Sequence, residues 1–112
     1  MPLFFARKEV FEWLAQGKKT IDVRKGNPHD GEIAVFQSGP RSLRLRIVKK
    51  ESGRLEEVLR LDNFRAVIPS ALELEDAVDY LQKIYGLADG IFTAYYVEAL
   101  LASEKGKLNI EY

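Results

Sequence analysis

Lys19, Asp22 and Arg24 put an ammonium, a carboxylate and a guanidinium within six positions of one another. Two kinds of chemistry suit that set. Lysine is a compact point charge and arginine a planar fork, so the pair fits a phosphate or the edge of a base. A lysine kept partly neutral by burial can instead attack an amide or accept a proton. Asp22 weighs on the choice. An opposite charge nearby favours the ammonium, and that suits binding better than nucleophilic attack. Thr20 adds a hydroxyl to the same stretch.

The elements around these residues follow from the pattern. Residues 6–16 read as a helix, with Val10, Phe11 and Leu14 at i, i+1 and i+4 on one face. Gly17 is placed to end it in the left-handed conformation. Thr20 to Arg24 alternate polar and apolar and read as a strand. On a strand, Thr20, Asp22 and Arg24 share one face, and Ile21 and Val23 the other. Lys19 must then sit in the preceding turn and reach round the strand's end to meet Asp22. A plain charged strand face after a helix stop would use the same residues, because exposed ion pairs are common and weak.

Arg41, Arg44 and Arg46, followed by Lys49 and Lys50, are a second cationic group. Arg44 and Arg46 share a face of a strand over Ser42–Lys49, opposite Leu43, Leu45 and Ile47, and Arg41 lies in the turn before it. They could track a phosphate backbone. They equally suit a solvated strand face that resists edge association. Among the aromatics, Phe36, Phe64, Tyr95 and Trp13 are candidates to line a cleft and stack on a base, although most aromatics belong to the core. His29 lies in a loop rich in Pro, Asp and Gly, with no partner nearby in the chain.

A chain of 112 residues makes one domain, large enough to bury a core without staples. It contains no cysteine and one histidine. Disulfides, thiolate chemistry, zinc sites built on Cys or His clusters and a His-based triad are therefore excluded. No cofactor or metal is expected. No apolar run approaches the roughly 20 residues of a membrane span. The N-terminus lacks the features of a signal peptide, so a cytoplasmic protein is expected, with no membrane partner. The net charge is zero, but residues 1–54 hold 12 cations against 6 anions, and residues 55–112 hold 5 against 11. One basic face on a neutral protein is compatible with that split.

Further along, Glu32–Gln37 reads as a strand that forms an antiparallel hairpin with Ser42–Lys49 through the Gly39–Arg41 turn. Arg54–Leu61 reads as a short helix. Ser70-Ala71-Leu72-Glu73 has capping-box spacing. The helix after it carries Leu74, Ala77, Val78, Leu81, Ile84 and Tyr85 on one face and stops at Gly86. Ile91–Leu100 is β-branched and aromatic, hence a strand. Lys107–Tyr112 reads as one more short strand. The class is α+β, with strands linked by turns rather than regular crossover helices.

Gly17, Lys19, Asp22 and Arg24 resemble the Gly-x-Lys-x-x-Glu-x-Arg hallmark of ASCH domains, small barrels of the PUA-like superfamily, with Asp in place of Glu. The likeness extends to the helix before the motif and the loop ending at Gly31. It continues through Val67-Ile68-Pro69-Ser70, the helix ending Ile84-Tyr85-Gly86, and Tyr95-Tyr96-Val97-Glu98. The chain most resembles the small stand-alone archaeal members. The resemblance implies a PUA-like, mainly antiparallel β-barrel with about three helices covering its ends. It also implies a cleft, lined by the motif, that binds RNA or a nucleotide-like ligand.

Certain small members of that family are amidohydrolases that deacylate N4-acetylcytidine with a Lys, a Thr and a Glu. Their Lys falls on Lys19. Their Thr falls on Asp22, and their Glu falls near Ser70, where no acid aligns, although Glu73 and Glu75 are close. The expectation is therefore an RNA- or nucleotide-binding module using Lys19, Thr20, Asp22, Arg24, Arg41, Arg44 and Arg46. The alternatives are that amidohydrolase, centred on Lys19, and a ribonuclease working by general acid–base chemistry. A monomer is compatible with the sequence. Replacing Lys19 and Arg24 is expected to weaken RNA binding without unfolding the chain.

Overall fold

Thirteen consecutive residues, Arg41–Gly53, form the longest strand and organise the sheet. The computed structural model describes residues 1–101. In chain order the strands are β1 (Leu3–Phe5), β2 (Ile21–Lys25), β3 (Ile33–Ser38), β4 (Arg41–Gly53) and β5 (Phe92–Ala99). The helices are α1 (Lys8–Ala15), α2 (Leu55–Val58), α3 (Phe64–Val67) and α4 (Leu74–Tyr85). The strand expected over Lys107–Tyr112 lies outside the described residues.

The strand order is β1-β3-β4-β5-β2. β3 and β4 form the expected hairpin, closed by Gly39 and Pro40, with Ser38 opposite Arg41. Gly39 has φ +58°, which a two-residue hairpin turn requires and glycine adopts without strain. β4 also pairs with β5, with a register shift at Val48 that leaves this residue 53% exposed. β5 pairs antiparallel with β2.

β1 runs parallel to β3. The sheet is therefore a curled half-barrel, mainly antiparallel as expected but with one parallel pair, and it departs from the barrel that the resemblance implied in being open and in carrying four described helices rather than about three. Its two edges, β1 and β2, share no ladder. Leu3-Phe4-Phe5 is too short to display a period of two, which is why β1 is invisible to patterning.

Two helices also differ from expectation. α2 stops at Val58 because Asn63 competes for its backbone: Asn63 Nδ2 donates to the Val58 carbonyl and its Oδ1 accepts from Arg60 N. α4 is not capped by Ser70. Asp76 accepts from the Leu72 and Glu73 amides at 3.1 and 2.9 Å, so the cap forms three residues later than the sequence spacing suggested. Gly86, at φ +77°, ends α4.

The core lies on both faces of the sheet. Ile21, Val23, Phe92 and Ala94 pack under α2, α3 and α4 with Leu55, Val58, Val67 and Leu81. On the other face Phe4, Phe36, Leu45, Ile47, Tyr95 and Val97 pack with Val10 and Leu14 of α1. Burying each such large side chain contributes about 1.5–3 kcal/mol. Trp13 and Tyr80 touch both clusters, with ring centroids 5.9 Å apart.

Candidate ligand cleft between the sheet edges

The end of α1 places Lys19. Gly17 turns the chain at φ +75°, and the Trp13 carbonyl accepts from both the Lys18 and Lys19 amides at 2.9 and 3.1 Å. Thr20 N then bonds the Ala66 carbonyl, and Val97 N bonds the Thr20 carbonyl. The turn is thereby fixed between α1, α3 and β5 before β2 begins.

Lys19 is only 4% exposed. Its Nζ donates to the Ile21 carbonyl at 2.8 Å and the Val67 carbonyl at 2.5 Å, and lies 3.7 Å from Asp22 Oδ1. The three N–H groups of an ammonium thus all face acceptors. Burial pulls the Lys19 pKa from 10.5 to about 8; Asp22 opposes the drop and Arg24 adds to it. Asp22 thus favours the ammonium, as its place in the motif suggested, although desolvation outweighs the carboxylate. The ammonium still dominates at neutral pH.

Asp22 and Arg24 point to the face of β2 that carries Tyr95 on β5, since Asp22 is opposite Tyr95. Asp22 is 3% exposed. Its Oδ2 accepts from Arg24 Nε at 2.6 Å. Arg24 Nη1 donates to the Phe5 carbonyl of β1 at 2.8 Å. Its guanidinium carbon sits 4.6 Å from the Phe4 ring centroid, a stacked cation–π contact. Nη2 meets no acceptor among the described residues, and the side chain is 21% exposed. One Asp22 carboxylate therefore holds both cations, and Arg24 spans the gap that the backbone leaves open.

That gap is a cleft of about 100 Å³. Lys19, Asp22 and Arg24 form its polar floor, and Phe5, Arg7, Tyr80 and Tyr85 stand around it. Its lining carries three cations and one anion. Among the described residues the Tyr80 hydroxyl is buried with no hydrogen bond of ordinary geometry, but Arg7 and Glu9 lie close enough to act on it: burial and Glu9 raise its pKa, and Arg7 opposes the rise. Burial also raises the Tyr85 hydroxyl, against the opposing pull of Arg24. The volume holds about three waters. An extended ligand must lie across the mouth and insert one group.

The other sequence candidates lie elsewhere. Thr20 and Arg44 line a separate cavity of about 420 Å³, which touches Lys19 from its other side. Arg41 is the first residue of β4 rather than part of the turn; it pairs with Glu12 of α1 and lies over the Phe11 ring. Arg46 sits 3.5 Å from Glu98. The β4 arginines thus do not extend the cleft. Phe36 and Tyr95 are fully buried and Phe64 is 8% exposed, so these three are core, not cleft wall. Trp13 is half-buried in both core clusters and does not line the cleft.

His29 is exposed: its ring packs edge-on against Phe4, and its amide donates to Tyr95 Oη. Phe5, Arg7, Tyr80 and Tyr85 were the missed residues. For the two tyrosines the chain carries a signal, since they follow Ala77 and Leu81 by three and four positions, so they flank the buried stripe of α4.

Among the described residues no group of His, Asp or Glu could hold a metal ion, and no helix is long and apolar enough to cross a membrane. The fold is similar to the crystal structure of hypothetical protein PH0355, with a TM-score of 0.73 at 16% identity over 88% of this chain and 97% of that one. At that identity the likeness concerns the fold. No family model and no curated protein matches the chain.

Proposed function

We propose that the protein is an ASCH-type, PUA-like module that binds RNA or a nucleotide-like ligand across the mouth of the β1–β2 cleft. One observation carries this reading. Arg24 is locked by Asp22 and the Phe5 carbonyl, yet its Nη2 meets no acceptor among the described residues and stands at a cleft whose lining is net positive. A guanidinium fixed in advance loses little entropy when it meets a phosphate or a base edge. Phe5, which is 71% exposed at the same mouth, offers a stacking surface.

Lys19 acts behind Arg24 rather than on the ligand, since its donors are spent on backbone carbonyls and Asp22. A double replacement of Lys19 and Arg24 would therefore disturb the fold, contrary to the reading from sequence. The test uses Arg24→Lys, which keeps a charge beside Asp22 and removes the fork. Anisotropy with a labelled single-stranded RNA should show affinity reduced at least about tenfold while the thermal transition is retained. Equal affinity in the variant contradicts the proposal.

A second reading draws on the lowered Lys19 pKa, which an amidohydrolase acting on N4-acylcytidine-type nucleosides would need. Asp22 stands where that chemistry has its Thr, and the Lys19 donors are engaged. Release of acetate from N4-acetylcytidine, abolished in Lys19→Met, would move the assignment to this enzyme.

A further inference from the structure

Away from the cleft, a larger cavity of about 660 Å³ opens between α2 and α4. Its floor is leucine-rich: Leu55, Leu59, Leu61, Leu74 and Val78 line it. Leu61 is 78% exposed, and Leu87, next to the lining residue Ala88 in the chain, is 81% exposed. Monomeric proteins rarely leave such a contiguous apolar surface uncovered without a use for it.

The surrounding charge selects the occupant. Residues 55–89 carry eight acidic and three basic side chains. Glu56 and Asp62 are on the groove itself, and Glu75 and Asp79 each stand one position on from a lining residue of α4. Arg60, the one cation in the lining, is already committed to Glu51 at 2.9 Å and Asp62 at 3.1 Å. Nucleic acid is repelled by that rim. A two-fold dimer through the groove would set the same acids against each other.

We infer that this groove docks a basic amphipathic helix of another protein. The partner's apolar residues at i, i+3 or i+4 and i+7 would fill the leucine floor, and its Lys or Arg flanks would meet Glu75 and Asp79 and compete with Arg54 and Arg60 for Glu56 and Asp62. α4 is 12 residues long, so a partner helix of about 18 Å runs its full length.

The probes are two synthetic helical peptides of equal length, one Leu/Lys and one Leu/Glu, each titrated into the full-length isotope-labelled protein. The Leu/Lys peptide should shift amides over Leu55–Asp62 and Leu74–Gln82, more weakly at higher salt, and the Leu/Glu peptide should not. Leu61→Gln, at an exposed position, should weaken binding by about tenfold. E56K/D62K should invert the preference to the Leu/Glu peptide. Equal binding of both peptides, shifts away from the groove or no binding overturns the inference. Groove resonances that move on dilution alone also overturn it, because a second copy would then be the occupant.

Discussion

Arg24 Nη1 donates to the Phe5 carbonyl at 2.8 Å, so a side chain, not a backbone ladder, ties the two free edges of the half-barrel. A gap bridged by a guanidinium keeps part of that guanidinium open to solvent. A gap closed by strand pairing would bury it. The binding proposal and the incomplete barrel thus share one cause.

Asp22→Asn should be the most damaging single change in the motif. Asp22 is buried and balances two cations, Nε of Arg24 at 2.6 Å and Nζ of Lys19 at 3.7 Å. Removing its charge leaves Lys19 buried and uncompensated, a loss of about 3 kcal/mol. Urea denaturation measures it. A variant within about 0.5 kcal/mol of wild type would show that the carboxylate does not hold the site together.

Lys19 sets a pH signature. The folded protein releases this proton near pH 8, and the unfolded chain holds it to about 10.5. Between those values the unfolded state binds more protons, so wild-type stability must climb with pH relative to Lys19→Met. The full span amounts to about 3 kcal/mol. The tyrosines raised by burial are common to both proteins and cancel. Parallel stability curves from pH 8 to 10.5 would mean that Lys19 keeps its ordinary affinity for the proton.

Tyr80→Phe should leave stability unchanged or raise it by about 1 kcal/mol, because among the described residues the buried hydroxyl makes no hydrogen bond of ordinary geometry, with Arg7 and Glu9 only near it. The same change should weaken ligand binding if the hydroxyl serves the cleft. Calorimetry on the free variant, beside anisotropy with RNA, separates the two effects. A clear loss of stability would show that the hydroxyl already has a partner in the free protein.

Much of this arrangement was legible in the chain. The alternation of Thr20 to Arg24 put Asp22 and Arg24 on one face, and the same alternation forced Lys19 into the turn. The burial of Lys19 was not legible, since its carbonyl partner Val67 lies 48 residues away. The cleft walls were missed for a similar reason. Tyr80 and Tyr85 sit on α4 and Phe5 on a three-residue strand, and only the curl of the sheet brings them beside β2. The basic run on β4 was misleading: Arg41, Arg44 and Arg46 lie together in sequence, but that strand is separated from β2 by β5.

The most direct measurement is an amide NMR titration with short single-stranded RNA at about 50 and 200 mM salt, the range over which phosphate contacts weaken steeply. Binding at the cleft predicts shifts over Lys19–Lys25, Phe5–Arg7 and Tyr80–Tyr85, smaller at the higher salt and lost in Arg24→Lys. Shifts confined to Arg41–Arg46, or none at either salt, would contradict it.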